Sequence, residues 1–178
     1  PYMNSSGMSS DLLQFVKDDY PEGKIDLFSC FISRCESFTK SCGIVSMITQ
    51  QGFMFLSSFE GLRSKMCNDD IIESLLHLGT HAFDQIGGEV VQSVAFSICK
   101  IKVKKYTGTY CRLLSGLSSD KELSFIKNEN RFYVKQDTFS LLPELPFTYW
   151  IDDSVRQLFL KHIVSDYCDP RRTLQSGN

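Results

Sequence analysis

Seven cysteines (Cys30, Cys35, Cys42, Cys67, Cys99, Cys111, Cys168) and three histidines (His77, His81, His162) are the side chains that could ligate a metal or act as nucleophiles. A zinc site needs thiols in close pairs, or thiols with histidines at matched spacing. The cysteines here are odd in number and scattered, with no Cys-x-x-Cys pair and no histidine at ligand spacing from a thiol. No metal is expected, and cysteines inside apolar periodic segments read as small hydrophobes of a reducing cytoplasm. Gly-x-Gly-x-x-Gly, P-loop, Gly-x-Ser-x-Gly and His-Glu-x-x-His patterns are all absent. Gly87-Gly88 precedes a strand pattern instead of opening a helix, so it reads as a turn and not as a phosphate cradle. Lys100, Lys102, Lys104 and Lys105, with Arg171 and Arg172, could meet nucleic-acid phosphates. Alternating lysines are equally the mark of a solvated strand edge. Nineteen Lys and Arg against 21 Asp and Glu give a net charge of −2, so any attraction to nucleic acid has to be local.

The elements that must position these residues follow from hydrophobic spacing. The 178 residues are 42% hydrophobic with 14 Phe and 7 Tyr, enough for a packed core. Asp11 to Lys17 reads as a short helix. From Ile25, the residues Leu27, Phe28, Phe31, Ile32, Cys35 and Phe38 recur at three- and four-residue steps, which predicts a helix capped near Gly43. Gly43 to Ile48 is a β-branched run of the kind buried on both faces of a parallel sheet. Ser57 or Ser58 is a candidate N-cap for a helix with Phe59, Leu62 and Met66 inward. Ile71 to Leu78 and Val90 to Ile98 are strands joined by a connection too long for a tight hairpin. Beyond Lys100 the pattern is weaker. Ile101 to Tyr106 prolongs the last strand, Glu122 to Ile126 with Arg131 to Val134 forms a small hairpin, Pro143 and Pro146 mark a linker, and Asp152 to Val164 is a helix. Helix, strand, helix, strand, loop, strand over residues 25 to 100 is α/β alternation that looks like the closing part of a larger sheet. No apolar run approaches the roughly 20 residues that span a bilayer. Residues 1 to 10 lack the basic start and apolar stretch of an export signal, and a cytoplasmic location is expected.

Five blocks carry a more specific likeness. In order they are Pro1-Tyr2-Met3, Asp26-Leu27-Phe28 with Phe31-Ile32, Gly43-Ile44-Val45-Ser46-Met47-Ile48-Thr49, Phe53-Met54-Phe55-Leu56-Ser57-Ser58-Phe59-Glu60, and Gly87-Gly88-Glu89-Val90-Val91-Gln92-Ser93-Val94-Ala95-Phe96. Together they resemble the catalytic region of adenine-specific DNA methyltransferases of the PglX type, from BREX phage-defence systems. A fainter likeness runs from Phe147-Thr148-Tyr149-Trp150 to Gln175-Ser176-Gly177-Asn178, resembling the passage into that family's target-recognition region.

The resemblance implies an α/β fold: the C-terminal half of a Rossmann-like S-adenosylmethionine-dependent methyltransferase sheet with helices (residues 1–110), followed by a mixed α+β extension (residues 111–178). Pro1 and Tyr2 are similar to the last two residues of the family's Asn-Pro-Pro-Tyr signature, so the chain is expected to open inside that motif, with the Gly-rich cofactor loop upstream of it. By resemblance, Pro1 and Tyr2 are catalytic. Tyr2 and Phe83 would stack on the extruded adenine, since the target nitrogen cannot meet a methyl donor inside a duplex. Asp26, Leu27 and Phe28 would border the adenine of S-adenosyl-L-methionine. Lys102, Lys104, Lys105, Arg171 and Arg172 would meet DNA phosphates. Double-stranded DNA is the implied partner, with other phage-defence proteins as further ones. The other reading is a non-catalytic DNA- or protein-interaction module derived from such an enzyme.

Overall fold

The computed structural model describes residues 2–83, 91–161 and 166–169. Helix α1 (Ser10–Asp19) is capped by Ser9, whose hydroxyl accepts from the Leu12 N–H. Helix α2 (Leu27–Phe38) starts at Asp26, whose Oδ1 accepts from the N–H groups of Met3 and Phe28 at 3.1 and 3.2 Å. It runs back to strand β1 (Ile44–Gln50). A 3₁₀ turn (Gln51–Met54) and helix α3 (Glu60–Asp69) lead into β2 (Ile71–Gly79). Strands β3 (Ser93–Cys99) and β4 (Thr107–Arg112) follow, then helix α4 (Ser118–Ile126), strand β5 (Arg131–Lys135) and helix α5 (Asp153–Leu158).

The five strands form one mixed sheet in the order β1-β3-β2-β4-β5. β3 runs antiparallel to both β1 and β2, β2 and β4 are parallel, and β5 closes the far edge antiparallel to β4. The α/β expectation holds, and so does the order helix, strand, helix, strand, loop, strand. The strand ends fall on two opposite edges. β1, β2 and β4 point their carboxyl ends to the edge where β3 begins, and the N-terminus of α2 lies at that edge too. The loop from β3 to β4, residues 100–106, lies at the other.

Helices α2 and α3 cover one face of β1, β3 and β2 through Phe28, Ile32, Leu62 and Met66. Aromatic rings then run through the core in contact. Phe28 meets Phe53, Phe53 meets Phe147, Phe147 meets Phe139, and Phe139 meets Tyr110, with centroids 5.2–6.5 Å apart. Tyr110 stacks on Tyr149 at 5.1 Å and 13°. Residue 110, the expected end of the catalytic part, lies within β4, and the sheet and its core run through it.

Several local expectations are corrected. β1 is a sheet edge in an antiparallel pair, with Val45 and Thr49 buried but Ile44 and Ile48 more than half exposed. Phe31 and Phe38 point to solvent, and Arg34 covers the Phe38 ring. α2 ends before Gly43, at Thr39, whose hydroxyl donates to the Cys35 carbonyl. Neither Ser57 nor Ser58 caps α3, which starts from a 3₁₀ turn at Ser57–Phe59. Ile101 to Tyr106 is not strand. Glu122 to Ile126 is helical, and Arg131–Lys135 pairs with β4. The Pro143–Pro146 stretch is no linker, because Phe147 and Tyr149 directly after it are fully buried. Of the expected helix from Asp152 to Val164, Asp153–Leu158 is helical and residues 159–161 are not, while 162–164 lie outside the described residues.

Candidate functional site

Open α/β sheets bind ligands at the carboxyl ends of their strands, and the chemically promising side chains gather at that edge here. A cavity of about 400 Å³ opens between the ends of β1, β2 and β4. His77, on β2, is 3% exposed and is the hub of its wall. The Tyr149 O–H lies 3.0 Å from His77 Nδ1, and His77 Nε2 lies 2.6 Å from Gln51 Oε1. Gln51 Nε2 donates in turn to Gln92 Oε1 at the start of β3. Since the amide oxygen of Gln51 only accepts, Nε2 carries the ring proton and Nδ1 accepts from Tyr149. Hydrogen bonds therefore run one way, from the buried phenol to the cavity rim, and the last group, the Gln92 NH₂, presents donors.

Arg112, the last residue of β4, supplies the charge. Its guanidinium sits 4.9 Å over the Trp150 ring. Among the described residues it has no carboxylate partner, and its Nε is buried without a hydrogen bond. Phe55 closes the aromatic wall, 5.7 Å from both His77 and Trp150.

Burial, with Arg112 and Lys121 adding repulsion, pushes His77 down to about 4. Burial likewise raises Asp70, at the start of β2, to about 6, helped by Glu36 and Asp69. The two act oppositely on stability. His77 contributes stability that is whole above its ordinary value of 6.5 and is lost as pH falls towards 4. Asp70 contributes stability that is whole below its ordinary 3.8 and is lost as pH rises through 6. At up to about 2–3 kcal/mol each, they nearly cancel between about pH 4 and 6. Asp70→Asn should leave a melting temperature that climbs across that window, and His77→Asn one that falls. Thermal unfolding at three pH values reads this, and flat profiles in both variants would contradict the assignment.

The sequence-predicted residues divide by edge. Tyr2 is exposed, with its ring 6.1 Å from Phe28, which places it at the α2 N-terminus on the carboxyl edge. Phe83 is exposed on the loop leaving β2 at the same edge. No ring contact joins the two. Lys102, Lys104 and Lys105 are exposed on the 100–106 loop at the opposite edge, and Lys100 binds Glu36 and the carbonyls of Glu36 and Thr39 at the end of α2. Pro1, Arg171 and Arg172 lie outside the described residues. Gln51 and Arg112 escape sequence reasoning, while His77 enters it only as a possible metal ligand and Gln92, Tyr149 and Trp150 only as members of blocks that carry the family likeness; the six come together from five separate segments.

Asp26, Leu27 and Phe28 stand at the start of α2. Asp26 Oδ1 is engaged by two backbone N–H groups, and the Phe28 ring is buried against Phe53 and Phe59. Among the described residues no three His, Cys, Asp or Glu side chains gather as metal ligands. No helix among them is long and apolar enough to cross a membrane.

Comparison with known proteins agrees with the blocks read from the sequence. Residues 1–83 match the model of the family described as Eco57I restriction-modification methylase. The whole chain is 40% identical, over 187 aligned residues, to the adenine-specific methyltransferase PglX of Lacticaseibacillus casei (strain Zhang). It is 35% identical over 162 residues, 90% of its length, to the adenine-specific methyltransferase BrxX of Escherichia coli O9:H4 (strain HS). It spans only 16% and 13% of the lengths of these relatives. A DrdV–DNA complex shares the fold with a TM-score of 0.57 at 13% identity, over 86% of this chain and 18% of that one. A nuclease-deletion mutant of the Type ISP restriction-modification enzyme LlaGI, in complex with a DNA substrate mimic, does so at 0.54 and 14%, with the same coverage of each chain.

Proposed function

We propose that this chain is a segment of a site-specific DNA adenine methyltransferase of phage defence or restriction-modification, acting in the cytoplasm on double-stranded DNA. The observation that carries the reading is similarity, along the entire chain to one and along 90% of it to another, to proteins named adenine-specific methyltransferases. The exposed rings of Tyr2 and Phe83 at the carboxyl edge of the sheet support it. In the intact enzyme S-adenosylmethionine would supply the methyl group for the adenine exocyclic amine. The part left to this chain is to hold the base: an aromatic face offsets the stacking an adenine loses when it leaves the duplex. Lys102, Lys104 and Lys105 would then meet DNA only beyond the edge that holds the base. Other phage-defence proteins are further candidate partners.

Tyr2 is the variant that tests the clamp, since its ring is exposed and its loss leaves the core intact. Tyr2→Ala should weaken binding of an adenine-containing single-stranded oligonucleotide by about 1–3 kcal/mol, roughly 5- to 150-fold. Tyr2→Phe should retain it, because the π face is what binds. Fluorescence anisotropy of a labelled oligonucleotide measures both, and an unchanged affinity in Tyr2→Ala would remove Tyr2 from the site.

A further inference from the structure

We propose that the cavity between the ends of β1, β2 and β4 seats a phosphodiester of the DNA strand, with Arg112 as its cationic contact and Gln92 as a neutral donor. The proposal rests on the DNA-methyltransferase reading above and adds to it a contact away from Tyr2 and Phe83. Two independent features of the wall point to an anion. The hydrogen-bond chain from Tyr149 through His77 and Gln51 leaves the Gln92 NH₂ as its terminal donor. Among the described residues, the Arg112 guanidinium has no carboxylate partner and no acidic side chain lines the cavity.

A buried or half-buried arginine is ordinarily paired, and a guanidinium left without a carboxylate has its planar fork available for a phosphate. Trp150 holds that fork from behind. The neutral, strongly buried His77 adds no charge of its own, so among the described lining residues the charge is that of Arg112. A volume of about 400 Å³ leaves room for the sugar attached to the phosphate. The cavity also lies at the same sheet edge as Tyr2 and Phe83, where a strand carrying an extruded base would pass.

The site carries its own probe, because Trp150 is the only tryptophan in the chain. Titration of the chain with a short duplex oligonucleotide at low salt should change the Trp150 emission to saturation. Arg112→Gln should weaken that change roughly tenfold, as expected for one charge-assisted contact. It should also lower the slope of log K against log salt by about 0.9, the mark of one phosphate. Arg112→Lys should keep the slope, since the charge is retained. Gel shift of the same oligonucleotide reads total DNA binding separately. A full shift with silent Trp150 emission overturns the seat and leaves the methyltransferase reading standing, whereas no shift at all overturns both. Inorganic phosphate alone should act only at far higher concentration, and a full emission change with phosphate and none with DNA overturns the proposal.

Discussion

Replacing Arg63 by leucine is expected to lower stability by about 3–5 kcal/mol, the cost of removing one member of a buried charged network. Arg63, on α3, is fully buried. Its Nη1 donates to the carbonyls of Phe53 and Leu56 at 2.7 Å, while Nε and Nη2 both donate to the Glu144 carbonyl at 3.0 and 2.7 Å. Leucine restores the packing volume and none of the donors, so the Phe53 and Glu144 carbonyls lose the guanidinium and the Leu56 carbonyl is left with the Phe59 N–H alone. The 143–146 stretch is the vulnerable part, because Glu144 and Leu145 both adopt left-handed backbone conformations, with φ of 65° and 51°. A non-glycine residue holds such a conformation only when its surroundings over-determine it, and the guanidinium fork on Glu144 is that constraint. At about 2–4 °C per kcal/mol for a chain of this size, the melting temperature should drop by roughly 10 °C. Arg63→Lys, with a single ammonium, should fall between. A loss below about 1 kcal/mol in Arg63→Leu would show that water replaces the donors. The same guanidinium connects stability to the site, since Nη1 holds the 53–56 segment that delivers Phe55 to the cavity and the fork on Glu144 holds the stretch that leads into Phe147 and Tyr149.

The second large effect is expected at Gly108, in the interior of β4. A Cβ there would sit 2.4 Å from the Ile72 carbonyl oxygen of the neighbouring strand and 2.9 Å from Tyr110 Oη. The first of these is backbone and cannot swing aside. Gly108→Ala must therefore part β4 from β2 or push the Tyr110 ring, at about 2–3 kcal/mol for overpacking. Tyr110 stacks on Tyr149, whose hydroxyl orients His77. The displacement should thus reach the cavity and alter the near-ultraviolet circular dichroism around Trp150 as well as lowering the melting temperature. Wild-type stability with an unchanged aromatic spectrum would mean that the two strands separate freely at this point.

Gly108 also shows why part of the fold was not legible. Thr107-Gly108-Thr109 has neither an apolar run nor clean alternation, and the glycine that lowers its strand signal is there because another backbone comes too close for a side chain. The α2, β1 and β2 segments were legible because burial alone sets their pattern. Even there, Phe31 and Phe38 share the spacing of Ile32 and Cys35 yet lie outside, since their neighbours and not their periodicity decide which side of the stripe is covered. Leu123, Phe125 and Ile126 read as strand, but Asp120 takes the Leu117 N–H and Lys121 ties its ammonium to the carbonyls of Leu78 and Leu113, which sets α4. Pro143 and Pro146 read as linker because local punctuation cannot show that Phe147 and Tyr149 enter a distant core. Of the candidate site, the aromatic pair Tyr2 and Phe83 was accessible through resemblance. Gln51, His77, Gln92, Arg112 and Tyr149 come together only through the sheet order, with separations of 26 residues for one hydrogen bond of the chain and 72 for another.

That sheet order also constrains how the polypeptide acquires its shape. β1 and β2 never touch as partners, because the later β3 lies between them and pairs with both. Within this segment, β1 and β2 gain their shared mate only when residues 93–99 emerge, and one seven-residue insertion then completes two ladders together. Long-range pairing of this kind is slow relative to helix formation. The nascent protein therefore passes through an interval in which its helices are ready but its central seam is still open to capture by chaperones or by another copy's equivalent strand.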